Sequence, residues 1–486
     1  MDDPISREVA LVQSEPVEEV WVSADGIEFQ VVTPATVYPP REDSGLLDSC
    51  LNQIDFKNGQ KILEIGCGTG VVSIAAAKRG AQVFCCDINP FAVAATRKNA
   101  ELNGVDLFAT EGGVESPDLF DLPAHILEHA PFDLIAWNLP YLEPPRENEP
   151  HLGPLEDAAL LDTSEGNGWG YALMKALNSG EILSPTGAAY VVHSSTPRGK
   201  TLQSHWRSHG WATRIADEVT FSDGERLTCF CAWRPFMNSP IERHEALDST
   251  NAFLLSSNHP AGTMITAKIQ TEGRGQRERE WAQVDGDFAG SWVLPEPAMN
   301  WAAGDIQIAA GMAIIDSIVC QSGLPLPTAH WTHCSGANRL QLEFRWPNDV
   351  WISNGKLAGC LIEARQKGEA RRCILGIGVN LCEKGEQPFE YSCLPAQNSE
   401  TELSDFQTIL HASIASAFEE TNFTPPPQMN RQVSWSLLAR HISKGVALEL
   451  EDSQLRIVNL DAQSQLVCDL SGTNQIITDS YEKRWV

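Results

Sequence analysis

The sequence lacks several patterns that would place it in large protein classes. Its 13 cysteines include no Cys-x-x-Cys pair, so neither a zinc-binding spacing nor a dense disulfide framework can be identified. No apolar run approaches the roughly 20 residues that a membrane-spanning helix requires. The segment Met1–Pro4 has neither the basic region nor the apolar stretch of a secretory signal. We therefore expect a cytoplasmic protein in a reducing compartment.

Positive charge is also scarce. Lys and Arg total 35 against 64 Asp and Glu, which gives a formal net charge of −29. Affinity for nucleic acids depends on Lys and Arg side chains that displace counterions from the phosphate backbone. Binding of DNA or RNA by the whole surface is therefore not expected, and nothing in the sequence indicates a membrane partner.

The chain does contain enough apolar material for several cores. Hydrophobic residues make up 42% of its 486 residues and charged residues 20%, which excludes a disordered or low-complexity protein. At roughly 150 residues per domain, the length predicts about three compact units, or two and a small appendage.

The first half alternates short apolar runs with helix-like segments, which is typical of βα units on a mostly parallel sheet. The predicted strands are Lys61–Ile65, Gln82–Cys86, Leu107–Ala109, Asp133–Trp137, Ala188–His193 and Leu227–Trp233. The predicted helices are Val71–Arg79, Pro90–Asn103 and Tyr171–Asn178. The second of these helices has clear end signals, with Asn89 as a cap, Pro90 in the first position and Gly104 after its end.

The Pro-rich, charged stretch Arg234–Glu245 predicts a domain boundary. The pattern after it favours an α+β domain followed by a small β module over Val446–Val486. Strands are predicted near Met264–Ala267, Gly290–Leu294, Leu342–Trp346 and Cys373–Val379, and helices at Ile306–Cys320, Asp405–Phe418 and Arg431–Ile442. The predicted domains are therefore residues 1–235, 236–440 and 441–486.

A glycine-rich turn marks a first candidate site. Gly66, Gly68 and Gly70 lie where a predicted strand ends and a helix begins, and glycines there allow a tight turn and a close ligand. Asp87 ends the next predicted strand, and its carboxylate can accept hydrogen bonds from two ribose hydroxyls. The spacing Gly-x-Gly-x-Gly is one residue shorter than the nicotinamide fingerprint. It favours a pocket for S-adenosylmethionine.

The tetrad Asn138–Tyr141 follows the predicted strand Asp133–Trp137. Ligands of open α/β sheets bind at the carboxyl ends of the strands, so this tetrad is expected to face the same crevice. The Asn138 amide and a backbone carbonyl can accept both hydrogens of a planar NH2 group, and Tyr141 can cover its face. Such a grip orients the nitrogen lone pair toward a sulfonium methyl group, which is catalysis by positioning.

These motifs, with Asp87–Pro90 and the upstream Val37–Ser44, resemble the HemK-type class I methyltransferases over about residues 15–235. The most similar subgroup is the short archaeal and eukaryotic one that methylates a glutamine amide of translation release factors. The resemblance implies that S-adenosylmethionine is bound by Glu64, Gly66, Gly68, Gly70 and Asp87.

The same resemblance implies that Asn138 and the carbonyl of Leu139 hold the target amide, next to Pro140, while Tyr141 packs on it. The family usually has proline at Leu139, and the acidic loop Glu143–Asp162 is expected to cover the crevice and select the acceptor. An alternative acceptor is an adenine of nucleic acid, because related tetrads also grip an adenine amine. The net charge argues against this alternative.

The second half carries a series of separated signals that suggest activation of a carboxylate by ATP. Joining a carboxylate to the α-phosphate of ATP concentrates negative charge, which fixed cations such as Arg274 and Lys356 offset in a dry site. Asn348 and Asn380 are amides that can read an adenine edge. The signals are Asp248–Asn251, Gln270 with Gly273–Gly275 and Trp281, Arg345–Asp349, Lys356–Gly359 and Gly376–Asn380.

These signals resemble the catalytic domain of biotin–protein ligases over about residues 245–385, with a small β cap after it. The resemblance implies that Arg274 and Lys356 hold carboxylate and phosphate, and that Asn348 and Asn380 serve ATP, which binds with Mg²⁺. The biotin ureido group would lie against Ser249, Thr250, Asn251 and Gln270. Gly273, Trp281 and Gly359 complete the predicted substrate site.

The implied reaction converts biotin and ATP into biotinyl-AMP, which a lysine of a biotin carboxyl carrier protein then attacks. Gln276 and Glu278 stand where the family has arginine and glycine, in the segment that folds over the adenylate. The overall prediction is a two-activity enzyme, a methyltransferase followed by a biotin ligase. The alternatives are that one half, more plausibly the ligase, is a non-catalytic binding module, and that the ligase uses lipoate.

Overall fold

The computed structural model describes most of the chain. The described residues are 15–113, 122–142, 160–162, 167–275, 281–327, 340–353, 355–367, 370–385, 390–394, 400–429, 431–443, 448–450, 453–470, 472–477 and 483–485.

By their contacts, these residues form two compact units. The first contains the chain up to Trp206, together with Thr213–Arg234 and Thr421–Pro425. The second contains Arg207–Ala212, Pro235–Glu420 and the chain from Pro426 onward. The short segment Thr421–Pro425 is therefore a sequence-distant part of the first unit. The Tyr190 hydroxyl donates to the carbonyl of Phe423 within it, at 2.9 Å.

The first unit is built on a seven-stranded sheet with a small two-stranded ribbon before it. The ribbon is β1 (Val17–Val22) and β2 (Glu28–Thr33). The strands of the sheet are β3 (Lys61–Ile65), β4 (Gln82–Asp87), β5 (Phe108–Glu111), β6 (Phe132–Asn138), β7 (Leu183–Ser194), β8 (Ala212–Thr220) and β9 (Arg226–Trp233). Their order is β5-β4-β3-β6-β7-β9-β8, and β3 to β7 run parallel while β9 is antiparallel to β7.

Helices connect the parallel strands, as the sequence predicts. They are α1 (Glu42–Asn52), α2 (Val71–Lys78), α3 (Pro90–Leu102), α4 (Ala124–Leu127), α5 (Trp169–Leu177) and α6 (Pro197–Ser208). The predicted start of α3 is confirmed, because the Asn89 side chain accepts from the Phe91 N–H at 3.0 Å and Pro90 opens the helix.

The second unit contains another seven-stranded sheet and a five-stranded C-terminal sheet. The strands of the first are β10 (Ile241–Leu247), β11 (Met264–Gln270), β12 (Phe288–Val293), β13 (Leu342–Arg345), β14 (Asp349–Ile352), β15 (Gly355–Lys367) and β16 (Ala370–Val379). Their order is β10-β11-β12-β16-β15-β14-β13, with only β10 and β11 parallel among the described pairs. The C-terminal sheet, ordered β20-β19-β18-β17-β21, is formed by β17 (Leu448–Leu450), β18 (Ser453–Leu460), β19 (Leu466–Leu470), β20 (Thr473–Ile477) and β21 (Lys483–Trp485).

The helices of this unit are α7 (Thr250–Ser256), α8 (Ala303–Gln321), α9 (Glu400–Phe418) and α10 (Arg431–Ser443), with a 3-10 turn at Glu296–Asn300. Together the units give the predicted fold class, a mostly parallel α/β domain followed by an α+β domain and a β module. The last residues of the predicted boundary, 241–245, are instead part of the edge strand β10. No residue of this strand is buried. A strand without a buried face does not need alternating apolar residues, so its sequence carries no strand signal.

Helix α8 is long and apolar enough to cross a membrane, judged by length and composition alone. Within its most apolar window, 72% of the residues are buried inside the protein, where the helix packs against α9 and β15. Packing in the core accounts for the apolar composition of α8. Its length and composition are therefore only weak evidence for a membrane span.

Candidate active sites

The glycine-rich turn lies between β3 and α2, at the carboxyl edge of the parallel sheet. Gly66, Gly68 and Gly70 have φ angles of 72°, 55° and 81°, a region that side chains rarely adopt. A Cβ atom on Gly70 would lie 2.8 Å from the Thr96 methyl carbon, whereas one on Gly68 would meet nothing within 4 Å. The turn is therefore closely packed at its helix end and open at Gly68.

Asp87 is fixed beside this turn. Its Oδ2 accepts from the Gly68 N–H and its Oδ1 from the Asn89 N–H, both at 2.9 Å. Each oxygen retains a lone pair, so the carboxylate can still accept from a diol. The strand register pairs Ile65 with Cys86 on one side and with Trp137 on the other. Asp87 and Asn138 therefore end neighbouring strands on either side of β3.

Glu64 lies below the turn and is buried. Its carboxyl group accepts a hydrogen bond from the Ser73 hydroxyl. Burial raises the pKa of Glu64 to about 8, an increase that the bond from Ser73 only partly opposes. A cationic ligand group nearby would favour the ionised carboxylate and so lower this pKa.

The amide of Asn138 is held by Asp43, a residue of α1 in the upstream motif. Its Nδ2 donates to Asp43 Oδ2 at 2.9 Å, while its buried Oδ1 has no hydrogen-bond partner among the described residues. Burial and the nearby Asp43 carboxylate, which also accepts from the Tyr141 hydroxyl, raise the pKa of Tyr141. Asp43 therefore fixes both ends of the tetrad and leaves the Asn138 oxygen available to accept from a ligand N–H.

The departure at Leu139 has a structural counterpart. The Leu139 N–H donates to the carbonyl of Val192 on β7 at 3.1 Å, a bond that proline lacks the hydrogen to make. This hydrogen bond ties the tetrad to the adjacent strand β7.

A cavity of about 340 Å³ adjoins the tetrad. Its walls include Leu139, Pro140, Tyr141, Trp169 and His193. The Nδ1 of His193 lies 3.0 Å from the Ser194 carbonyl and so carries the hydrogen, while its buried Nε2 has no hydrogen-bond partner in the described structure. Burial lowers the pKa of His193 to about 4, so the ring is neutral and Nε2 is an acceptor.

The second predicted site forms one cavity of about 330 Å³ in the second unit. With the exception of Gly273, every residue predicted for this site lines it: Ser249, Thr250, Asn251, Gln270, Arg274, Trp281, Asn348, Lys356, Gly359 and Asn380. The Gly273 carbonyl accepts from the N–H of the lining residue Trp281 at 2.9 Å.

One end of this cavity is a network of buried polar side chains. Gln270 Oε1 accepts from the Thr250 N–H at 2.9 Å and from its hydroxyl at 3.1 Å. The Ser291 hydroxyl lies 2.7 Å from Thr250 Oγ1 and 2.6 Å from Asn251 Oδ1. Asn251 Nδ2 donates to Glu363 Oε2 at 2.7 Å. These groups form a rigid surface of donors and acceptors suited to a small polar ring.

Two glycines of β16 are required because other side chains lie directly against the backbone there. A Cβ atom on Gly376 would overlap the Asn251 side chain, and one on Gly378 would overlap the indole ring of Trp281. Both neighbours line the cavity, so the Gly-Ile-Gly sequence creates the space that the two side chains occupy.

The other end of the cavity is cationic. Lys356 Nζ lies 2.8 Å from Asp349 Oδ1 and 5.8 Å from the centre of the Trp281 ring. Arg274 also lines this cavity. The Arg345 guanidinium packs 3.3 Å from the centre of the Trp351 ring, and Arg345 is not among the residues that line the cavity.

Comparisons with known proteins agree with this division. Residues 47–139 match the ribosomal protein L11 methyltransferase (PrmA) family, and residues 243–380 match the biotin/lipoate A/B protein ligase family. The chain joins a PrmA-type methyltransferase domain to a biotin/lipoate ligase domain.

Curated relatives match each domain separately. A biotin–[acetyl-CoA-carboxylase] ligase of Paracoccus denitrificans is 36% identical over 137 residues, 28% of this chain and 51% of that protein. A putative protein N5-glutamine methyltransferase of Methanocaldococcus jannaschii is 45% identical over 129 residues, 26% of this chain and 57% of that protein. The chain thus spans about half the length of these relatives. A solved biotin protein ligase from Aquifex aeolicus, with biotin and ATP, covers 51% of this chain and 98% of its own, with 17% identity and a TM-score of 0.38.

The two methyltransferase comparisons share a reaction and differ in the acceptor. The family description names a ribosomal protein, and the relative is named for glutamine. Methyltransferase and ligase families imply S-adenosylmethionine for one domain and ATP with biotin for the other.

Several functional candidates of the two domains were not predicted. Asp43 lies in the upstream motif Val37–Ser44, but its contact with Asn138 joins positions 95 residues apart. No sequence motif marks Ser291 or Glu363 of the ligase domain. Each belongs to a strand that is distant in sequence from Asn251, and only the fold brings it to that side chain. Lys384 follows Asn380 by four residues, outside the glycine motif.

Some predictions fall outside the described residues. Gln276 and Glu278 of the ligase domain lie there, and so does most of the methyltransferase loop Glu143–Asp162. Among the residues that the structure describes, no group of three or more His, Cys, Asp or Glu side chains is arranged to hold a metal ion.

Proposed function

We propose that the chain is a bifunctional enzyme. Its first domain transfers a methyl group from S-adenosylmethionine to a planar amide nitrogen of a protein glutamine. Its second domain biotinylates a lysine of a biotin carboxyl carrier protein through biotinyl-5′-AMP. The first proposal is carried by the unpartnered Asn138 oxygen at the sheet edge shared with Asp87. The second is carried by the convergence of Arg274 and Lys356 on the polar cavity around Asn251.

The methyltransferase residues fit their cofactor, because Asp87 keeps two acceptor lone pairs and the turn is open at Gly68. S-adenosylmethionine would supply an electrophilic methyl group when bound. Asn138 Oδ1 would accept one N–H of the target amide and the Leu139 carbonyl the other, which orients the nitrogen lone pair. The amide nitrogen would take the methyl carbon while the sulfur keeps the electrons of the broken sulfur–carbon bond, and the proton that the nitrogen loses would pass to water.

In the ligase domain, Arg274 and Lys356 would stabilise the negative charge on the α-phosphate during adenylation. A carboxylate oxygen of biotin attacks the α-phosphorus and pyrophosphate leaves. A carrier lysine amine then attacks the acyl carbon and releases AMP. Asp349 holds the Lys356 ammonium in place at 2.8 Å. The Mg²⁺ that accompanies ATP would be held mainly by the phosphates.

Two variants test the division of activities. Lys356→Ala should abolish biotin-dependent release of pyrophosphate from ATP and leave methyl transfer unchanged, because it removes a cation from one cavity only. Asn138→Ala should do the reverse. A loss of both activities in either variant contradicts the proposal, and absence of any turnover in the wild type supports a binding module instead.

The acceptors are tested with the same wild-type protein. Labelled methyl transfer should go to a protein or peptide with a Gly-Gly-Gln sequence, such as a translation release factor, rather than to DNA. Ribosomal protein L11 must be tested as a third methyl acceptor, because the PrmA family is named for it. Lipoate should replace biotin poorly in the adenylation assay, and equal turnover with lipoate would reassign the ligase domain, whose family includes both kinds of enzyme.

A further inference from the structure

Lys384 is a buried lysine in the wall of the ligase cavity. Its side chain is 3% exposed, and its Nζ lies 2.9 Å from Asp287 Oδ2 and 2.7 Å from Asn380 Oδ1. It also donates to the carbonyl of Ala282. An ammonium group has three hydrogens, so these three acceptors use all of them. Lys384 therefore has no donor left for a ligand and can act only by holding other groups.

Asp287 keeps the ammonium in place. Its Oδ1 accepts from the N–H groups of Leu381 and Cys382 at 3.0 and 3.2 Å, and its Oδ2 accepts from the Val284 N–H at 3.1 Å. A buried ion pair with this many hydrogen bonds has one preferred arrangement. These backbone N–H groups fix the Asp287 carboxylate, and the carboxylate in turn fixes the position of the Lys384 ammonium.

Lys384 determines which way the Asn380 amide faces. An ammonium only donates, so the Asn380 oxygen must lie toward Lys384. The carbonyl of Lys356 only accepts, and Asn380 Nδ2 donates to it at 2.9 Å. The two neighbours together exclude the flipped amide. One amide hydrogen and one oxygen lone pair are left, on a side chain that lines the cavity.

An amide fixed in this way matches one class of purine. Adenine carries an amino donor at position 6 beside an acceptor ring nitrogen, N7 or N1, which suits an amide oxygen and an amide hydrogen. Guanine and hypoxanthine carry an acceptor oxygen at position 6, which would face the Asn380 oxygen. Sites that hydrogen-bond a substrate group reject analogues that lack it far better than apolar pockets do.

We propose that Lys384 is a positioning residue that sets the nucleotide specificity of the ligase domain. It fixes Asn380 in the orientation that accepts a 6-aminopurine and rejects a 6-oxopurine. The inference rests on the proposed function, because it requires the nucleotide of the adenylation reaction to bind in this cavity.

The test measures biotin-dependent pyrophosphate release by the full chain with ATP and with inosine triphosphate. The wild type should prefer ATP by at least about tenfold in kcat/KM. Lys384→Met should raise the KM for ATP about tenfold and bring the ratio of the two nucleotides close to one, with kcat for ATP and the Kd for biotin alone little changed. Lys384→Arg, which keeps a donor, should retain most of the preference, and Lys268→Met is a matched control at a half-exposed lysine.

The outcomes separate the inference from the function on which it depends. An unchanged preference in Lys384→Met, or equal use of both nucleotides by the wild type, overturns the inference while the ligase activity stands. The second result needs no variant, so it holds even if Lys384→Met does not fold. No biotin-dependent release with either nucleotide contradicts the ligase activity itself, and the inference falls with it.

Discussion

At the scale of single residues, Asp43 makes the most specific contribution to the methyltransferase site. Asp43→Asn replaces an acceptor oxygen with a donor, so the Asn138 amide can turn and lose its free oxygen. We expect kcat for methyl transfer to fall roughly 100-fold, as misplacement of a reacting group does, with the Kd for S-adenosylmethionine within about twofold. Kinetics with a Gly-Gly-Gln substrate measure this.

The matched control is Asp106→Asn, at an exposed aspartate of the same domain. An equal loss in both variants, or full activity of Asp43→Asn, would show that Asp43 does not orient the amide.

The buried His193 predicts how stability depends on pH. Its folded pKa of about 4 lies below the ordinary value of 6.5, so between these values the unfolded chain binds a proton that the folded chain does not. The free energy of unfolding should therefore fall as pH drops from about 6.5 to 4, by on the order of 3 kcal/mol for this group. Above pH 6.5 both states are neutral and the effect vanishes.

His193→Gln removes this titration, and the comparison cancels other groups such as Glu64, whose raised pKa acts in the opposite direction. Denaturant unfolding at pH 7, 6, 5 and 4 should show the wild type losing stability relative to the variant. Parallel curves would contradict a neutral, buried His193.

At the scale of elements, the sequence was most informative where local signals agree. Strand β3 has the predicted bounds, because the apolar residues Ile62, Leu63 and Ile65 directly precede a glycine turn. Strands β8 and β10 were not predicted. Only the first three residues of β8 are buried and none of β10 is, so neither strand shows an apolar alternation along its length. The glycine turns and cationic motifs of both sites were predicted, since they are local. The partners Asp43 and Ser291 were not, because only the folded chain brings them near Asn138 and Asn251.

The close packing of β16 against Trp281 gives a prediction at this scale. Gly378→Ala places a methyl group within the indole ring, so Trp281 must leave its position on the cavity wall. We expect biotin-dependent adenylation to fall at least about tenfold, with methyl transfer unchanged. Gly385→Ala is the control, because a Cβ atom there meets nothing within 4 Å. Full adenylation by Gly378→Ala would show that adenylation does not need Trp281 at its present position on the cavity wall.

At the scale of the whole molecule, each ligand should stabilise the unit that contains its cavity. A ligand at 100 times its Kd adds about 2.7 kcal/mol to the stability of the state that binds it. In calorimetry of the full chain, S-adenosylmethionine should raise one unfolding transition and biotin with ATP the other. The Lys356→Ala variant should lose or reduce only the second shift. A shift caused by biotin with ATP that persists unchanged in Lys356→Ala would contradict the assignment of these ligands to the cavity that Lys356 lines.

The segment Thr421–Pro425 limits how this gene can be divided. A protein ended at Arg234 would retain every strand of the first sheet but lose the carbonyl of Phe423, leaving the Tyr190 phenol without its acceptor. A protein begun at Pro235 would instead carry five residues whose contacts had been deleted. An engineer who wants either activity alone should therefore inactivate the unwanted half by substitution and keep the chain whole.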